Sequence, residues 1–276
     1  MKLFHTLIAL SLSALTFVAC DEVDSDKRFS GPITVEAKKN VLIEDFTGQK
    51  CINCPKAADE IARLQQVCGE RLIAVSIHGG SLSLSETKTP AGLANAQGDD
   101  YVSHWGVNSF PKGRVDRSGS LLDYEQWGAL AVKRFGVEPK VDITITPTAP
   151  VDANSTSVAF NVDVKGLDNA QGKLQVWLTE SQIKNMQFMP DGSRNADYVH
   201  NHVFRASVSA PYGDDMTVVK DKTESKSYTY SFPDFTQLKN TTPWNPTNMA
   251  IVAFFYNETD GVMQVVDCKL VGNAAE

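Results

Sequence analysis

Across 276 residues the chain carries 33 acidic against 26 basic side chains, a formal net charge of −7 at neutral pH. That balance excludes a nucleic-acid-binding role built on a basic surface. A hydrophobic content of 42% is ordinary for soluble globular protein, and the length allows two domains with cores of their own.

Residues 1–19 stand apart: Lys2 is followed by the apolar run LFHTLIALSLSALTFVA, which reads as a secretory signal rather than a membrane span. Phe17-Val18-Ala19 ahead of Cys20 resembles a bacterial lipobox. The resemblance implies cleavage before Cys20, lipidation of that cysteine and attachment to a membrane, with a plain signal peptide as the alternative. Loss of the leader removes one lysine and no acid, so the charge moves from 26 − 33 = −7 to 25 − 33 = −8. The acidic run Asp21-Glu22-Val23-Asp24-Ser25-Asp26 resembles the export signals of Bacteroidetes-type lipoproteins carried to the outer face of the outer membrane. A solvated acidic tether explains it equally well. Either way the compartment lies outside the cytoplasm, where disulfides persist.

Residues 20–38 are polar and read as a tether; residues 39–137 read as a first domain. Val41 to Phe46 is apolar enough for a buried strand, and a polar turn then leads to Cys51-Ile52-Asn53-Cys54. The helix that follows repeats Ala57, Ile61, Leu64 and Val67 at helical spacing, with Pro55 tolerated just inside its start. A C-x-x-C turn at a helix N-terminus is a dithiol arrangement, because unpaired N–H groups and the helix dipole stabilise a thiolate. The same spacing holds half of a zinc site, but the second half is missing. The order predicts that Cys51, ahead of the helix, is open to attack while Cys54 is buried by the first turn.

Residues 71–78 read as a second buried strand, parallel to the first through a right-handed crossover. His78 ends that strand at the edge where sites gather, either as a structural histidine or as a third copper ligand beside the two thiols. Residues 79–92 are a turn-rich loop, 93–105 a weakly amphipathic helix, and 112–115 a short strand opened by Pro111. Tyr124 to Phe135 closes the domain as a helix.

These residues resemble the thioredoxin fold. Asp45-Phe46 precedes the thiols as in the pattern D-F-x-x-x-x-C-x-x-C, and Gly106-Val107-Asn108-Ser109-Phe110-Pro111 is similar to the G-I-x-x-x-P segment. The resemblance implies that Cys51 is the nucleophile, Cys54 the resolving thiol, Asp45 the buried proton acceptor, and Pro111 a cis-proline that orients bound polypeptide. It departs at Lys50, Ile52, Asn53 and Pro55, where thioredoxin has Trp, Gly, Pro and Lys.

From Val137 onward the texture changes to short alternating runs. Seven strands are expected, at 141–147, 157–164, 173–180, 202–210, 227–232, 249–258 and 263–271, making residues 138–276 a β-sandwich. The expected fold class is therefore an α/β thioredoxin-like domain followed by an all-β sandwich. With the lipobox and the C-x-x-C, this order resembles a Bacteroidetes outer-membrane lipoprotein family that pairs a thioredoxin-like domain with a C-terminal β-domain. Tyr198, His200 and His202 alternate onto one face if extended, and read as a surface cluster or partner contact rather than a metal shell. Cys68 and Cys268 either bridge the two domains or stay as separate thiols.

Two functions compete. One is a membrane-anchored oxidoreductase exchanging disulfides with cysteine-containing envelope or extracellular proteins, needing no cofactor. The other is a surface binding or adhesion lipoprotein whose first domain is scaffold.

Overall fold

A computed structural model describes residues 38–234 and 241–271. The leader, Cys20 and the tether as far as residue 37 lie outside the described residues. The amphipathic spacing of the first half gives β1 (Val41–Thr47), α1 (Cys54–Cys68), β2 (Leu72–His78), α2 (Ala96–His104), β3 (Lys112–Val115) and α3 (Tyr124–Phe135). β1 and β2 run parallel, with Val41 opposite Leu72 and Thr47 opposite His78, and β3 is antiparallel to β1. Both strands are buried on two faces, which is why they read as unbroken apolar runs. Val41, Ile43, Leu72 and Ala74 pack on Ala57, Ile61 and Leu64 of α1 and on Trp127, Ala131 and Phe135 of α3.

The second half contributes β4 (Val141–Pro147), β5 (Ser157–Gly166), β6 (Ala170–Glu180), β7 (Ile183–Phe188), β8 (Arg194–His200), β9 (Val203–Ser207), β10 (Asp214–Val218), β11 (Thr223–Ser231), β12 (Met249–Asn257) and β13 (Gly261–Lys269). These strands correct the expected fold class. The described residues are mostly β, 44% strand against 18% helix, and an α/β thioredoxin-like domain followed by its own sandwich is not what forms. β1, β2 and β3 belong to one eight-stranded mixed sheet, ordered β13-β12-β6-β9-β2-β1-β3 with β10 also on β6. β4, β5 and β11 form a three-stranded sheet, and β7 with β8 a two-stranded one.

The long strand β6 explains the continuity. Its successive side chains alternate between faces. Leu174, Val176 and Leu178 pack toward Ile143, Phe160 and Val162 of the three-stranded sheet. Trp177 points the other way, into a cluster with Phe46, Ile73, Val75, Tyr101 and Phe254 drawn from both halves of the chain. There the Trp177 indole donates to the Tyr101 hydroxyl at 3.1 Å, which fixes α2 over the sheet.

Two seams join the halves. At one, the Ser76 N–H donates to the His202 carbonyl at 2.8 Å, and Ser76 pairs with Val203 as the sole β2–β9 register pair. At the other, Asp116 accepts from the Leu42 N–H at 2.8 Å, from Arg134 at 2.9 Å and from the buried Lys39 ammonium. The Asp116 carbonyl takes the Val262 N–H at 2.7 Å. Position 261 admits no side chain, since a Cβ there would stand 2.4 Å from that carbonyl and φ is +69°. Behind this seam the buried Arg117 guanidinium is held by Glu44 and faces the Tyr256 and Phe254 rings at 4.1 and 4.8 Å.

Candidate functional site

Cys51 and Cys54 are joined as a disulfide with Cα atoms 5.4 Å apart. Cys54 is the first residue of α1, and the N-cap Asn53 makes no side-chain cap bond. The first-turn N–H groups therefore lack the usual side-chain acceptor. Both cysteines are only 3% exposed, which corrects the expectation of an open Cys51. The cover comes from two segments that bind the backbone of the turn. Leu82, in the loop after β2, accepts from Lys50 N–H at 2.8 Å; Gly48 leaves room for this, since a Cβ there would lie 2.6 Å from the Leu82 carbonyl. From β7, the Phe188 N–H donates to the Gln49 carbonyl at 2.8 Å. The Gln187 amide donates to the carbonyls of Cys51 at 2.9 Å, Phe188 at 3.1 Å and Gly48 at 3.3 Å. The exposed members of the turn are Ile52, at 46%, and Asn53.

Asp45 lies on β1, buried, with one carboxylate oxygen without a hydrogen-bond partner and the other 3.4 Å from the Ser76 hydroxyl. Burial, only slightly offset by that hydroxyl, pushes its pKa up to about 7. Asp45 and Cys54 line one cavity of about 360 Å³, together with Ser76, His78, Tyr198 and His200. The Phe110–Pro111 bond is cis. Pro111 immediately precedes Lys112, which pairs with Phe46, so it lies at the same end of β1 as the C-x-x-C turn.

His200 is placed differently from the surface cluster expected of Tyr198, His200 and His202. His200 ends β8 and is 6% exposed, and His78 ends β2 and is 3% exposed. Their ring centroids are 5.3 Å apart, edge to face, and Tyr198 stands 4.8 Å from His200. Burial pushes the His200 pKa down to about 4. Burial, then His200 itself, holds His78 well below the ordinary range, and burial also lowers His202. The strand pattern fails at His202 because its φ is +56°, a turn between β8 and β9. Among the described residues no three His, Cys, Asp or Glu side chains are grouped to hold a metal. Cys68 and Cys268 are free and half-buried, so of the two alternatives they stay as separate thiols; burial raises both thiol pKa values.

Gln187 and Gln49 were not legible as site residues, since glutamine has no sequence signature of its own. The hairpin that carries Gln187 did leave one: Asp191-Gly192 between two short strands is a hairpin turn signal, with Gly192 at φ +83°.

The outer membrane protein Omp28 family matches residues 98–274. Among solved structures, HBP35 of Porphyromonas gingivalis is 16% identical, with a TM-score of 0.67 over 88% of this chain and 79% of that one. A protein of Agrobacterium tumefaciens is 15% identical, with a TM-score of 0.48 over 86% of this chain and 96% of that one. At these identities the likeness concerns the fold alone. No match is found among curated proteins. With well over half of its length matched, the chain belongs to the Omp28 family of outer membrane proteins.

Proposed function

We propose that this outer membrane protein is anchored by a lipid on Cys20 and exchanges disulfides with cysteine-containing envelope or extracellular proteins through Cys51 and Cys54. The observation that carries the reading is the pairing of a disulfide at an uncapped helix N-terminus with a buried, near-neutral carboxyl group in one cavity. A partner thiolate attacks the Cys51 sulfur, the Cys51–Cys54 bond breaks, and Cys54 leaves with the electron pair and takes a proton from Asp45. In the second half the partner's other thiolate attacks the mixed disulfide and releases Cys51. The partner dithiol is then oxidised by two electrons and the protein dithiol reduced. In the reverse direction Asp45 takes the proton from Cys54 as it attacks. Pro111, at the same end of β1, is the candidate contact for the partner's backbone.

The 3% exposure of both cysteines favours a second reading, a surface-binding protein in which the disulfide is a permanent staple. The disulfide also lies outside the residues matched by the family, so membership does not decide between them. Trapping does. Cys54→Ser exposed to envelope extract should accumulate mixed disulfides through Cys51, and Cys51→Ser should accumulate few. Equal trapping by both variants, or none by either, leaves the staple reading.

A further inference from the structure

The cavity beside the disulfide is walled by α1 on one side and by the end of β8 on the other, and it opens at the exposed Asp59 and Asn201. Three buried polar atoms among its lining residues have no hydrogen-bond partner: Asp45 Oδ1, His78 Nδ1 and His200 Nε2. Buried polar atoms are rarely left so, because each costs its lost hydration. We propose that the cavity is a binding site for a small organic cation with several N–H donors, a guanidinium or alkylammonium group, received by the His78 and His200 imidazoles and the Asp45 carboxylate. The site does not depend on whether the disulfide exchanges.

The acceptor character follows from the rings. The backbone of Met186 and Asn185 lies beside the His200 ring, and that of Ser76 beside the His78 ring. A neutral imidazole that donates to a carbonyl through one nitrogen presents the other as a bare acceptor. Depressed pKa values keep both rings neutral at pH 7. No lysine or arginine lines the cavity, whereas Asp45 and Asp59 do, so an anion finds no partner and a cation finds two. Arg205 lies behind both imidazoles, but its charge is met by Glu180 at 2.9 Å and Glu86 at 3.8 Å. A single metal ion does not fit, because no three ligating side chains converge among the described residues; a planar or branched donor spans the separate acceptors. The volume of about 360 Å³ exceeds one water's share and falls at the small end of small-molecule sites.

The titratable groups facing Asp45 are Asp59 on α1, His78 on β2, Tyr198 and His200 on β8, and His202 in the turn. Tyr198 stays neutral, with its pKa raised by burial to about 12. Asp45 is thus the group that titrates near neutrality, and its ionised fraction rises about tenfold from pH 6 to pH 8 for a pKa of about 7.

The test is calorimetric titration of the full chain, disulfide intact, with methylguanidinium, with neutral methylurea as its isostere, and with a blocked Gly-Arg-Gly peptide. Saturable one-to-one binding of methylguanidinium or the peptide is expected, about tenfold tighter at pH 8 than at pH 6, with methylurea at least tenfold weaker. Tighter binding of the peptide than of free methylguanidinium supports the site and assigns it to a polypeptide's arginine; the reverse supports it and assigns a free cation. His200→Phe should abolish binding. If that variant misfolds, the pH and isostere comparisons on the unsubstituted chain still decide. No saturation by either cation, equal binding of methylurea, or affinity independent of pH overturns the proposal.

Discussion

At the scale of the residue, Asp45 concentrates the chemistry and costs stability. Unfolded, an aspartate is ionised above about pH 4; folded, Asp45 keeps its proton until about pH 7. Between those values the folded chain binds the extra proton, so this residue's contribution to stability is full below pH 4 and falls as pH rises to 7. At roughly 1.4 kcal/mol per unit, the penalty at pH 8 reaches about 4 kcal/mol. Asp45→Asn should therefore stabilise the protein by up to about 4 kcal/mol at pH 8 and hardly at all at pH 4, in chemical denaturation at the two pH values. An equal change at both would mean that Asp45 titrates normally. Asp45, Cys51 and Cys54 were legible because their spacing is local. The imidazole pair was not, because His78 and His200 meet only through the β2–β9 seam, and nothing near either histidine announces the other.

At the scale of the element, the β7–β8 hairpin is the part most removed from expectation. β8 is largely exposed, and its run RNADYVH has few apolar residues to mark a strand. The alternation is too sparse to be read, although the Asp-Gly turn was there. The hairpin nonetheless covers the disulfide through Gln187, whose amide serves three carbonyls. Gln187→Leu removes three side-chain hydrogen bonds and leaves the Gly48 and Cys51 carbonyls with only the Cys51 and Cys54 N–H groups as donors, at about 1–3 kcal/mol, and loosens the cover more than the rest of the sheet. Reduction of the disulfide by dithiothreitol should then quicken by about tenfold or more, at about 1.4 kcal/mol per factor of ten. An unchanged rate, with global stability lowered by the same amount, would show that the hairpin does not gate the disulfide. The helices were placed well from the sequence because α1 and α3 each bury a clean stripe on β1 and β2.

At the scale of the whole molecule, the first half and the second half share one sheet and one buried cluster around Trp177. The change of texture at Val137 marked where helices give way to strands, and it was read as a boundary because pairing partners far along the chain leave no trace in local pattern. Removal of either half would expose the apolar face of the other, Trp177 and Phe254 on one side and Ile73 and Val75 on the other. Unfolding should accordingly be cooperative across the halves, with the slowest amides of β1 and β2 exchanging at the same free energy as those of β6 and β12 in native-state hydrogen exchange. A clearly lower value for β1 and β2 would mean that the first half opens by itself.

The redox poise of the disulfide tests the central claim most directly. The full chain would be equilibrated with glutathione or dithiothreitol buffers, and the Cys51–Cys54 dithiol quantified by thiol alkylation and mass. An exchanging pair should come to equilibrium between about −120 and −270 mV, where exchange proteins lie, whereas a structural bridge resists reduction to below about −300 mV. A midpoint inside the first range is the result the account predicts. A midpoint below about −300 mV, with the hairpin free to open, would contradict it and leave Cys51–Cys54 as a staple.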